Sequence, residues 1–305
     1  MNTKAGYAAI IGLPNVGKST LMNALLGQKI SITTSKPQTT RKRILGILSE
    51  ENYQVVFLDT PGILKPAYLL QEKMMDDIDL SVKDADVFVI IYDVSSEQSF
   101  KGSEENEYIQ KVISEKKNPK ILVLNKIDTI SQEQALSLIE RFEQLNIFKS
   151  VIPVSANLKF NLERLLNDIV ECLPEGAKFY PDDIVSEETE RFFVTEIIRE
   201  KLFELYEDEV PYSCEVLIAE FIERENSKDY ISAEIVVERE SQKPIIIGKE
   251  GRAIKSLGER SRKSIEEFLD REVYLELRVK VREKWRSNLN MLKSFGYVRG
   301  KDKDS

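Results

Sequence analysis

The sequence predicts an α/β protein whose first half is a doubly wound, mainly parallel sheet and whose second half is a smaller α+β domain. Three observations predict it. Short runs rich in Val and Ile alternate with longer amphipathic stretches up to about residue 172. An acidic, proline-bearing segment then interrupts the pattern. Beyond it the periodicity changes, ending in strict alternation over 273–282, with Val273, Leu275, Leu277, Val279 and Val281 on one face. A chain of 305 residues is long enough for two domains, each able to bury its own core.

The elements follow in order. The apolar runs 7–11, 55–58, 87–92, 121–124 and 151–154 are continuous rather than alternating, which suits strands covered on both faces. Residues 133–145 and 162–172 read as helices between them. Strand–helix alternation implies a parallel sheet, and ligands of such sheets bind beyond the carboxyl ends of the strands. The break begins at Leu173-Pro174-Glu175-Gly176 and continues through Asp182, Asp183, Glu187, Glu188 and Glu190. It reads as a linker, giving domains at 1–175 and 191–305 joined by 176–190. The second domain is predicted as a helix over 191–206, strands over 215–221 and 230–238, a helix within 249–269 and a strand over 273–282.

Composition excludes several classes. With 42% hydrophobic and 31% charged residues, the chain is neither a fibre, a disordered tail nor a membrane bundle. Its longest apolar runs, such as 87–92, are far shorter than the ~20 residues of a membrane helix. The N-terminus enters a strand-like run without the features of a secretory signal. There is no His, and Cys172 and Cys214 form no CxxC pair, so a His/Cys zinc site and a Ser-His-Asp triad are excluded; a reducing, cytoplasmic setting is expected. The net charge of −8 at first argues against a nucleic-acid partner. Its distribution reverses that reading, because residues 1–180, 181–238 and 239–305 carry −2, −13 and +7.

The turns after the strands carry the chemistry. Gly12-Leu13-Pro14-Asn15-Val16-Gly17-Lys18-Ser19 matches G-x-x-x-x-G-K-[ST] between a strand and a helix. Residues Asn15, Val16, Gly17, Lys18, Ser19 and Thr20 are expected to cradle phosphates. Lys18 serves the β- and γ-phosphates, the Ser19 hydroxyl serves Mg²⁺, and the following helix adds its positive end. Asp59, in Leu58-Asp59-Thr60-Pro61-Gly62, ends an apolar strand as a magnesium carboxylate does, and Gly62 can bring its N–H to the γ-phosphate. In Asn125-Lys126-Ile127-Asp128, the Asp128 carboxylate can accept from the paired N1–H and N2–H₂ donors of guanine; adenine has no such pair. Asn125 is expected to tether loops and Lys126 to lie along the base. Ser155-Ala156 fits a backbone contact to guanine O6.

In this order and context the motifs resemble the GTPase family of P-loop proteins over about residues 5–175. The resemblance implies GTP/GDP and Mg²⁺ as ligands. It also implies a switch loop at 35–43 whose Thr40, with Thr39 as the alternative, joins Ser19 and Asp59 around the metal. Lys18, Thr40, Asp59 and Gly62 are then the catalytic set. One position departs from the Ras-like pattern: Ile63 stands where a Gln orients the attacking water, so slow hydrolysis resting on charge stabilisation is expected. Asn15 is a candidate K⁺ ligand, as in some relatives.

In the second half, Gly248-Lys249-Glu250-Gly251 is a G-x-x-G loop followed by Arg252. Residues 239–263 hold eight basic and three acidic groups. The expected order of elements is that of a type II KH domain, in which such a loop clamps single-stranded nucleotides. Ile247, Gly248, Lys249, Glu250, Gly251, Arg252 and Lys255 are the candidate RNA-binding residues. Arg278, Lys280 and Arg282 are expected to add charge from the last strand, with Trp285 a buried anchor. A GTPase domain followed by a KH domain, with GLPNVGKSTL, QTTR, LDTPG, NKID, LPEG and KPIIIGKEG, resembles the Era family of bacterial ribosome-assembly GTPases over nearly the full chain. That resemblance implies binding of 16S ribosomal RNA near its 3′ end, a role in 30S subunit assembly gated by GTP, and a cytoplasmic monomer with peripheral contact to the inner membrane. Competing readings are a GTPase of transfer-RNA modification or large-subunit assembly, and a passive KH module with structural nucleotide.

Overall fold

The computed structural model describes residues 3–298. They form two compact units, residues 3–65 with 74–187, and residues 66–73 with 188–298.

The first unit is built on six strands: β1 (Lys4–Ile11), β2 (Ile44–Glu50), β3 (Tyr53–Asp59), β4 (Val87–Asp93), β5 (Lys120–Asn125) and β6 (Ser150–Val154). The spatial order is β2-β3-β1-β4-β5-β6. Its helices are α1 (Lys18–Leu26), α2 (Leu69–Asp84) from residue 74 onward, α3 (Glu97–Glu104), α4 (Glu107–Glu115), α5 (Gln132–Glu143) and α6 (Leu162–Cys172). All pairings are parallel except β2 with β3. Every residue of β4 and β5 is buried, which is why these runs lack alternation: each face packs on a layer, and each fully buried Val or Ile side chain contributes about 1.5–3 kcal/mol. The chain order reverses between β1 and β4, so the turns after β1, β3 and β5 gather at one end of the sheet.

Three features depart from expectation. The edge strand β2 was not anticipated, because it returns antiparallel through Glu51-Asn52, a turn without glycine to mark it. The helices α3 and α4 were also missed; each is short and capped by a polar side chain, Ser96 and Asn106 respectively. Residues 176–187, expected as linker, are fastened to the first unit. The buried Gln54 carboxamide clamps them, accepting from the amides of Phe179 and Tyr180 and donating to the Tyr180 carbonyl. Phe179 stacks on Tyr7, Ile47 N donates to Val185 O and Ser186 Oγ to Leu45 O. Phe179, Tyr180, Ile184 and Val185 supply apolar contacts that the prolines and acids of this stretch conceal.

The second unit has a three-stranded sheet, β7 (Glu215–Ile222), β8 (Asp229–Val237) and β9 (Val273–Val281), with β8 central, antiparallel to β7 and parallel to β9. Its helices are α7 (Glu190–Leu205), α8 (Val210–Ser213), α9 (Gln242–Ile247), α10 (Arg252–Leu269) and α11 (Leu289–Ser294). The alternation of β9 is realised as a half-buried strand, its Val and Leu residues packing with α7 and α10 in one core. The apolar 245–247 run is the end of a short helix, α9. Trp285 is fully buried, its Nε1 donating to the Ser213 carbonyl.

Candidate nucleotide and nucleic-acid sites

The loop between β1 and α1 surrounds a pocket of about 480 Å³. Glycine is required at Gly17, where φ is +98° and a Cβ would lie 2.3 Å from Asn125 Nδ2. No side chain caps α1. The residues at its start, Gly17, Lys18, Ser19 and Thr20, line the pocket, which is the arrangement of an anion site at a helix N-terminus. Lys18 is buried and its Nζ donates to the carbonyls of Gly12 and Leu13. Burial pulls its pKa down to about 8, with Asp59 acting in the opposite sense.

Ser19, Thr40 and Asp59 meet at the base of this pocket. Ser19 Oγ donates to Asp59 Oδ2 at 2.7 Å and shares a 2.9 Å hydrogen bond with Thr40 Oγ1. Thr40 thus lies against Ser19, whereas Thr39 turns to the Lys36 carbonyl and Thr34. Asp59 is fully buried, and burial raises its pKa while Ser19 and Lys18 oppose the rise. Its Oδ1 has no hydrogen-bond partner. A buried, half-satisfied carboxylate costs free energy unless a cation completes it. One carboxylate with two hydroxyls fits Mg²⁺, which takes few protein ligands and completes its shell with water and phosphate. Gly62 lines the pocket beside Pro14, leaving no room for a Cβ.

The other end of the pocket is built by the turns after β5 and β6. Asn125 ties three segments together: its Nδ2 donates to Val16 O at 2.7 Å and its Oδ1 accepts from Ala156 N. Lys126 lines the pocket in a left-handed conformation. Asp128 sits exposed on the one-turn helix Ile127–Thr129, and Ser155 is buried with its Oγ accepting from Leu158 N. Thus Asn15, Gly17, Lys18, Ser19, Thr20, Thr40, Gly62, Asn125, Lys126 and Ala156 line one cavity. Val16, Asp59, Asp128 and Ser155 stand outside its wall. Sequence reasoning missed Asp93. Its buried carboxylate pairs with Lys126 Nζ at 2.6 Å and accepts from Ser95 N, so it holds the lysine of the base-binding loop. A signal existed, since Asp93, like Asp59, is the acid that ends an apolar strand.

In the second unit the G-x-x-G loop links α9 to α10. Gly248 and Gly251 have φ of +71° and +75°, and a Cβ on Gly248 would lie 2.5 Å from that of Ala253. Lys249, Glu250 and Arg252 are exposed or nearly so, with Glu250 and Arg252 ion-paired at 2.6 Å. Beyond the loop a groove of about 540 Å³ runs between α10 and β9. Lys255 lines it. Ile254, Gly258, Arg262, Leu275 and Leu277 line it too, residues that the motif alone did not single out. Ile247 is half-buried and its neighbour Ile246 is fully buried. The expected charge of the last strand is also corrected. Arg278 is paired with Glu276 two residues before it on β9, and Lys280 with Glu234 of the neighbouring β8, so both cations are neutralised by nearby acids.

A P-loop fold with a guanine-type loop, joined to a G-x-x-G unit with a basic groove, defines a GTP-binding protein with a nucleic-acid module. Comparison with known proteins agrees at both ends. Residues 7–126 match the family described as 50S ribosome-binding GTPase, and residues 209–286 match the KH domain family. GTPase Era of Geotalea daltonii is 45% identical over 293 residues, covering 96% of this chain and 97% of that protein. The chloroplastic GTPase ERA-like protein of Arabidopsis thaliana is 45% identical over 301 residues, covering 96% of this chain and 69% of the plant protein. Among solved structures, Era in complex with MgGDPNP and nucleotides 1506–1542 of 16S ribosomal RNA superposes with a TM-score of 0.90 at 39% identity, covering 97% of this chain and 100% of that one. A variant of Era from Aquifex aeolicus bound to GDP and aluminium fluoride gives 0.89 at 38% identity over the same shares. The chain belongs to the Era family of GTPases.

Proposed function

We propose that the chain is a magnesium-dependent GTP-hydrolysing switch that binds 16S ribosomal RNA near its 3′ end and assists maturation of the 30S subunit. The observation that carries the nucleotide half is the Ser19–Thr40–Asp59 cluster with its unpartnered carboxylate oxygen. The RNA half is supported by the G-x-x-G loop, its basic groove, and the RNA bound to a relative of 39% identity. When bound, Mg²⁺ supplies charge neutralisation at the β- and γ-phosphates. Lys18 exchanges the Gly12 and Leu13 carbonyls for phosphate oxygens. Gly62 presents its amide, and Thr40 brings the switch loop against Ser19. Ile63 is buried and its amide donates to the Gly12 carbonyl. It has no group to orient water, so turnover is slow.

Asn15 joins the P-loop to the switch loop, its Nδ2 donating to the Ser35 carbonyl at 3.0 Å. In this reading a K⁺ ion sits where Asn15 and loop carbonyls can supply oxygen. Wild-type turnover is then faster in K⁺ than in Na⁺, and Asn15→Ala removes the difference; equal rates for wild type in both salts reject the cation. The protein acts as a cytoplasmic monomer. Contact with the cell membrane is peripheral in this reading, and among the described residues no helix is long and apolar enough to cross a membrane. Crosslinking followed by RNA sequencing tests the main proposal. Reads are expected to concentrate at the 3′ end of 16S RNA and to be more abundant with a GTP analogue than with GDP; reads spread over transfer RNA or large-subunit RNA would overturn it.

A further inference from the structure

The groove between α10 and β9 does not end in bare solvent. The first turns of α10 place Ile254 and Gly258 nearest the G-x-x-G loop, and Gly258 approaches Leu277 of β9. Further along α10 comes Arg262, and at the start of β9 come Val273 and Tyr274, with Lys228 from the turn before β8. The groove thus runs from the backbone clamp at 248–251 to an end bordered by Tyr274, Arg262 and Lys228.

Tyr274 is 59% exposed, unusual for a large ring on a strand. It is the cross-strand partner of Tyr230, and the two rings lie 6.0 Å apart and nearly parallel, at 16°. Tyr230 is held in place, its hydroxyl donating to Glu276 at 2.5 Å and the Arg224 guanidinium lying 5.7 Å from its centroid. A fixed row of Arg224, Tyr230 and Tyr274 results. The strand β9 is the sheet edge, so no further strand covers the outer side of Tyr274, which is also one of the residues lining the groove.

The charges around this end favour a polyanion. Arg262 and Lys228 line it, and Glu259 is the one acid among the groove-lining residues. Lys228 is paired only loosely, at 3.6 Å, with the exposed Glu272. An exposed ring backed by a second ring, flanked by cations and continuous with a backbone-clamping groove, is a stacking platform of the kind that single-stranded nucleic acid uses.

We propose that Tyr274 is a base-stacking subsite that takes one unpaired nucleotide of the RNA as it leaves the far end of the groove, with Lys228 and Arg262 meeting its phosphates. The proposal rests on the RNA reading above and adds a nucleotide to it. The test uses the full chain and the 1506–1542 fragment of 16S RNA, shortened one nucleotide at a time from each end, with affinity read by fluorescence anisotropy. In wild type one shortening step costs about 5- to 150-fold, the range of one base–aromatic stack. In Tyr274→Ala that step costs nothing and the longer RNAs bind as the shortened one does, while Tyr274→Phe behaves as wild type. With 2-aminopurine moved along the RNA, one position is quenched in wild type and Tyr274→Phe and bright in Tyr274→Ala and Tyr274→Leu. Equal affinities for wild type and Tyr274→Ala at every length, or an equal loss at every length, would overturn the subsite. The Lys249→Asp, Glu250→Asp double variant distinguishes this from failure of the groove itself: wild-type affinity in that variant overturns the RNA reading as a whole.

Discussion

Asp128→Asn is expected to lose guanine nucleotide by about 10²–10⁴-fold, since a hydrogen bond to a charged group contributes about 1.5–3 kcal/mol and two are affected. The carboxylate offers two acceptors to the N1–H and N2–H₂ pair of guanine; an amide offers one acceptor and turns an N–H toward a donor. The change is confined to recognition. Asp128 is exposed on a one-turn helix, so the substitution leaves no buried group unpaired, and Lys126 stays anchored by Asp93. Competition binding against labelled GDP checks it. GTP should become a far weaker competitor while ATP, which never offered the donor pair, stays where it was. A GTP-to-ATP ratio equal to that of wild type would refute the assignment of Asp128.

Replacing both Lys249 and Glu250 by Asp should abolish RNA binding and leave GTP turnover in the absence of RNA near normal. The substitution reverses the charge of Lys249 at the point where a G-x-x-G loop meets phosphates. The backbone tolerates it: both residues are exposed, and Glu250 has φ of +56°, a conformation that Asp adopts more readily than most residues. Filter binding to the 1506–1542 fragment at two salt concentrations reads the effect. Affinity should fall and the salt dependence flatten, because fewer counter-ions are released. Wild-type affinity with the same salt slope would place the RNA elsewhere.

The nucleotide site was legible in the sequence because its chemistry is local. Gly12 to Ser19 and Asn125 to Asp128 each carry their function within one turn, and each follows an apolar run. What was not legible depends on contacts between distant segments. Asp93 acquires its role only when β4 and β5 lie side by side and Lys126 reaches across. The groove residues Ile254, Leu275 and Leu277 read as ordinary core until α10 and β9 are seen to part at the edge. Arg278 and Lys280 looked like free charge, but Arg278 pairs with Glu276 of its own strand, and the register of β8 against β9 brings Glu234 to Lys280. The strand β2 was hidden for a different reason: neither a glycine turn nor a covering helix announces an antiparallel edge.

That edge has a further consequence. Residues 176–187 lie along β2, with Val185 and Ser186 bonded to its backbone. An uncovered edge strand is a template for another chain. The stretch that looks like a tether is therefore also a guard against self-association. A fragment cut at residue 175, where the sequence alone suggests a boundary, would leave the Ile47 amide and the Leu45 carbonyl of β2 open to pairing with another chain. One cut after residue 187 would keep the edge closed.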